Sequence, residues 1–86
     1  MSKRGEKLLD RMRRNPADWR IEDVKALCDS FGIDLDRRPN GSHYGISDPS
    51  QSLHVTVPFA RPIKRVYIRQ LVRFVDGVRR ARENDE

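Results

Sequence analysis

The chain is expected to fold as an α+β domain, a three-stranded antiparallel sheet with helices packed on one face. Apolar residues recur at helical spacing towards both ends and alternate with polar ones in the middle. The 86 residues, 36% of them apolar, provide for one core and not for two.

Residues 5 to 14, GEKLLDRMRR, set Leu8, Leu9 and Met12 on a narrow stripe of a short helix, which Asn15-Pro16 ends. That helix opens an N-terminal extension, residues 1–19. Its Trp19 is expected to pin the NPADWR segment to the core, because so large a ring is rarely left in water. The core proper spans 20–80. There Ile21, Val24, Leu27, Cys28 and Phe31 fall within about 120° of a helical wheel, and Gly32 stands where a left-handed terminating residue belongs. The period then drops to two. Ile33 and Leu35 alternate with Asp34 and Asp36 before the turn chemistry of Arg38-Pro39-Asn40-Gly41. SHYGISD resumes the alternation with Tyr44 and Ile46, DPSQS turns the chain, and LHVTVP continues it with Leu53, Val55 and Val57. Pairing Asp48 with Leu53 places Ile46 opposite Val55 and Tyr44 opposite Val57, so every large apolar side chain of the hairpin shares one surface. Pro58 and Pro62 bracket a linker. Ile68, Leu71, Val72, Val75 and Val78 then mark the inward side of a helix from about Arg65 to Arg80, and residues 81–86 should fray.

Composition narrows the partners. The net charge is +5, and fourteen of the eighteen cations are arginine, the side chain suited to gripping phosphate, so a polyanion is the expected partner. No apolar run spans a bilayer, and MSKRGEKLLD lacks the apolar stretch of a secretory signal, which points to a cytoplasmic protein. Cys28 alone cannot form an internal disulfide. Two histidines without a CxxC pair make no recognisable zinc site, and no cofactor motif is present.

Two regions could carry chemistry. On the last helix Arg65, Arg69, Arg73 and Arg80 lie within about 80° of arc, beside the apolar side. Arg61 and Lys64 extend this ridge, and the single acid among residues 61–82, Asp76, can pair with Arg80 at i+4. The ridge suits a phosphate backbone, though a solvated charged face would read the same; the helix lacks the apolar excess that membrane insertion requires. The second region is the mouth of the first hairpin. Arg37, Arg38, Gly41 and Ser42 bring cations and an open backbone there, and His43 is the residue nearby whose ordinary pKa, about 6.5, suits proton transfer at neutral pH. The register turns His43 off the core face. With RNA, such a base can deprotonate a 2′-hydroxyl, whose oxygen attacks the adjacent phosphodiester while arginines stabilise the accumulating charge. The alternative is a histidine that merely caps a turn. His54 shares that face but lies about 13 Å along the strand, too far for a direct acid and base pair. Ser42 has no Ser-His-Asp spacing around it and supports the turn, and Cys28 belongs to the core.

The ordered set formed by Gly41-Ser42-His43-Tyr44, a hairpin, Val55-Thr56-Val57-Pro58 and Pro62-Ile63-Lys64 before a closing helix resembles the HicA family of mRNA interferase toxins, over about residues 21–80. The resemblance implies a double-stranded-RNA-binding-domain-like fold, metal-independent endoribonuclease cleavage of mRNA with His43 as the catalytic histidine, and neutralisation by a cognate HicB-type antitoxin. The chain departs from the family pattern at Phe59-Ala60-Arg61, where many relatives carry a histidine shortly after the Val-Pro pair. It departs again at Arg65-Val66-Tyr67, where they carry Pro-Gly-Thr; the proton for the leaving oxygen would then come from solvent, Tyr67 or another residue. Two other functions fit the same residues: a non-catalytic RNA-binding module of this fold, and an adaptor whose basic ridge docks on an acidic protein.

Overall fold

In a computed structural model, which describes residues 3–37, 43–59 and 62–84, the chain is α+β. Helix α1 (Lys3–Arg14) and helix α2 (Ile21–Phe31) precede strands β1 (Asp34–Arg37), β2 (His43–Ser47) and β3 (Val55–Pro58), and helix α3 (Arg65–Asn84) closes the fold. The strands form one antiparallel sheet in sequence order. Helix α2 packs on β1, α3 packs on β3, and α1 packs against both helices.

Alternation explains the sheet. Tyr44, Ile46 and Val57 are buried against the helices, while His43 and Thr56 on the opposite face are exposed. The register pairs Tyr44 with Val57 and Ile46 with Val55, as the hairpin reading requires. Leu53 corrects that reading: it is 79% exposed, because the chain leaves the ladder before reaching it. The Asp48 carboxylate accepts from the Ser50 amide at 3.1 Å and hydroxyl at 2.5 Å, and the Gln51 amide donates to the Asp48 carbonyl at 2.9 Å. This tight turn satisfies the backbone locally, so β3 begins only at Val55.

The helices end where local chemistry stops them. After α1 the Asn15 side chain accepts from the Ala17 amide, and the Trp19 indole donates to the Asn15 carbonyl at 2.6 Å, with the Arg11 guanidinium 5.4 Å over its ring. Helix α2 starts with the Asp23 carboxylate accepting from the Arg20 amide at 3.0 Å. It ends at Gly32, whose φ of 62° is the left-handed conformation a terminating glycine adopts cheaply.

The N-terminal extension is a working part of the core. Leu9 and Met12 are buried with the apolar residues of α2, α3 and the sheet, and Trp19 forms an isolated antiparallel bridge with Ile63 just before α3. Glu6 of α1 accepts from Arg79 of α3 at 3.0 Å, and the Arg79 guanidinium also lies 5.5 Å over the Phe31 ring of α2. The far end of α3 is a second correction. Instead of fraying after Arg80, the helix runs to Asn84, held by Arg82, which donates to the Phe31 and Gly32 carbonyls and, at 3.2 Å, to Asp48.

Candidate functional site

His43 opens β2, exposed, on the sheet face turned away from the helices, and its register partner is Pro58 at the end of β3. That pairing fixes the neighbourhood. Past Pro58 the chain crosses to Ile63, Lys64 and the start of α3, so the exposed Lys64 and Arg65 stand at the same end of the molecule as His43. Arg37, exposed at the end of β1, is the partner of Tyr44 and therefore adjoins this end from the other side. Neither Arg37, Lys64 nor Arg65 has a carboxylate partner among the described residues. The predicted residues Arg38, Gly41, Ser42 and Arg61 lie outside the described residues.

The ridge on α3 leads away from this end. Arg65, Arg69 and Arg73 follow one another at i+4, about 6 Å apart along the axis. Arg69 and Arg73 line a groove of about 220 Å³ between α1 and α3, with Met12, Arg13, Val72 and Asp76. The structure thus brings Lys64 and Arg65 to the histidine end but places Arg69 and Arg73 on the helical side, away from the sheet face that bears His43.

Asp76 does not pair with Arg80 as its i+4 spacing suggests. Arg13 of α1 reaches it in a bidentate bond of 2.6 and 2.8 Å, because α1 packs over this stretch of α3 and a planar fork fits a carboxylate better than a strained neighbour on the same helix. That hydrogen bonding from Arg13 holds Asp76 below the ordinary carboxylate range, against the opposing effect of its partial burial. Arg69 and Arg73 are consequently left as the groove's unneutralised cations.

A further basic surface escaped the sequence reading. Arg4, Lys7 and Arg11 line a second groove, of about 370 Å³, against Leu8 of α1 and Asp23 and Ala26 of α2. Their spacing at i, i+3 and i+7 puts them on one helical face, a signal present in the sequence but overshadowed by the arginines of the last helix.

The remaining titratable side chains stand apart from the histidine end. His54 is exposed before β3, at the end of the sheet opposite His43. Burial pushes the Cys28 thiol up to about 12, which removes it as a nucleophile at neutral pH. Among the described residues no group of His, Cys, Asp and Glu side chains is placed to hold a metal ion, and no helix is long and apolar enough to cross a membrane.

Comparison with models of protein families, with curated proteins and with solved structures finds no match to this chain.

Proposed function

We propose that the protein is an endoribonuclease toxin that cleaves mRNA in the cytoplasm, with His43 as its catalytic base and no metal required. One observation carries the reading: an exposed imidazole at the start of β2, paired with Pro58, at the sheet end that also bears Arg37, Lys64 and Arg65. Base and cations meet the needs of transesterification. His43 takes the proton from a ribose 2′-hydroxyl as its oxygen bonds to the adjacent phosphorus. The bond from phosphorus to the 5′-oxygen breaks, that oxygen takes a proton from solvent or Tyr67, and the products end in a 2′,3′-cyclic phosphate and a 5′-hydroxyl. Lys64, Arg65 and Arg37 stabilise the charge on the phosphate oxygens, and Arg69 and Arg73 carry the flanking backbone along α3 towards the groove beside α1.

The resemblance through Gly41-Ser42-His43, Val57-Pro58 and Ile63-Lys64 supports the toxin assignment, the double-stranded-RNA-binding-domain-like fold and a HicB-type antitoxin as protein partner. The order α2, β1, β2, β3, α3, with both helices on one sheet face, agrees with such a fold. The separation of Arg69 and Arg73 from His43 favours a second reading, a non-catalytic RNA-binding module of the same architecture. Expression of the wild type and of His43→Ala distinguishes the two. The wild type is expected to arrest growth and deplete message, and the variant to do neither; equal toxicity of the two would remove His43 from the mechanism.

A further inference from the structure

We infer that Phe59 is a nucleobase-binding platform beside His43, which stacks on a base of single-stranded RNA and positions its phosphate for cleavage. The inference rests on the nuclease reading for the role of His43, but the platform itself can be tested by binding alone.

Phe59 is 46% exposed, although the core is close enough to have taken it. Its ring lies 6.3 Å from that of Tyr44, tilted by 34°, and Tyr44 is only 5% exposed, so an edge of the core supports Phe59 from one side. The Lys25 ammonium sits 5.2 Å over the Tyr44 ring, and Arg37 is the partner of Tyr44 on β1. A supported aromatic ring with an open surface, set among cations, is the combination with which proteins hold single-stranded nucleic acid: the ring meets the base and the cations meet the backbone. An aromatic residue placed only to fill the core would be covered.

The register puts this ring beside the proposed chemistry. Phe59 directly follows Pro58, the partner of His43. A cross-strand step of about 5 Å and a chain step of 3.8 Å place the Phe59 Cα within about 9 Å of the His43 Cα. Phe59 shares the parity of Val57, towards the helices, and His43 faces the other side. A strand of RNA crossing this end of the sheet therefore lays a base on Phe59 and presents the neighbouring phosphate to His43, a separation that one nucleotide bridges. Double-helical RNA offers no free base face for such stacking, so the platform selects unpaired segments.

The test uses the full chain and single-stranded RNA oligonucleotides in which 2-aminopurine replaces one base at a time, with 2′-deoxyribose at the cleaved position for binding assays and ribose for kinetics. Wild-type protein is expected to quench the fluorophore at one position. Phe59→Leu, which keeps the apolar bulk without the aromatic face, is expected to lose the quench and to bind at least about fivefold more weakly, with the change falling on KM more than on kcat. Phe59→Trp should restore both. Circular dichroism melts of the three proteins show whether Phe59→Leu is folded, and Phe59→Tyr serves as a second aromatic rescue. Unchanged affinity and quenching in folded Phe59→Leu, or a wild type that binds no single-stranded RNA, would overturn the platform. If the wild type quenches the fluorophore without cutting RNA, the platform stands and the nuclease reading falls; if Phe59→Leu cuts as the wild type does while His43→Ala does not, the reverse holds.

Discussion

Gly5 of α1 approaches α2 so closely that an added Cβ would lie 2.5 Å from the Ser30 Cβ and 3.2 Å from the Phe31 ring. Gly5→Ala is therefore expected to destabilise the fold by about 1–3 kcal/mol, the usual range for overpacking, and Ser30→Gly in the same chain to recover much of the loss in chemical denaturation. Gly32 differs: at φ 62° with open space around it, Gly32→Ala should cost only about 1 kcal/mol of backbone strain. Cys28, with its thiol raised to about 12, should resist iodoacetamide at pH 8 in the folded protein and react once denaturant exposes it; fast native labelling would contradict its burial. The contrast between the two glycines marks the reach of sequence reading. Gly32 follows a helical apolar stripe, and its role is local enough to read from its neighbours. The close crossing at Gly5 depends on which helix comes to meet it, and the half-exposed Phe59 depends on Tyr44 arriving from another strand. His43 was legible because strand alternation alone turns it away from Tyr44 and Ile46.

Periodicity located the elements, whereas their ends answer to tertiary partners. The Asp48 turn shortens β3, and Arg82 extends α3 by tying its last turn to the end of α2 and to Asp48, which neither segment announces by itself. Arg82→Ala is expected to lower stability by about 1–2 kcal/mol, the modest end for bonds to a charged group because Arg82 is nearly half exposed, and to speed amide exchange in the last turn of α3. The clasp between α1 and α3 responds to acid. The Arg13 hydrogen bonds depress the folded-state pKa of Asp76, so the unfolded chain binds its proton first as pH falls. The stabilisation is present above about pH 4 and is lost as pH drops through the lower folded value. Asp76→Asn should flatten the stability profile of the protein below pH 4, measured as urea midpoint against pH. A profile identical to that of the wild type would show that the pair contributes nothing.

At the scale of the whole molecule, a net charge of +5 is distributed as cationic surfaces around a histidine end, with α1 adding Arg4, Lys7 and Arg11 to the ridge of α3. If RNA follows that ridge, its affinity falls steeply with salt. Arg69→Gln combined with Arg73→Gln should then reduce the slope of log affinity against log salt by about 1.4, at about 0.7 for each phosphate contact with a single strand, and weaken cleavage less than Arg65→Gln, which stands nearer His43. The most direct test of the central claim, that His43 activates a ribose oxygen against its own phosphodiester, is the chemistry of the cut ends. Purified protein is incubated with RNA in EDTA, and the fragments are weighed by mass spectrometry alongside those from His43→Ala and from an RNA carrying 2′-deoxyribose at the cleaved position. Fragments ending in 2′,3′-cyclic phosphate from the wild type alone, and none from the deoxy substrate, are the predicted result; cleavage that survives either the His43 substitution or the loss of the 2′-hydroxyl would contradict it.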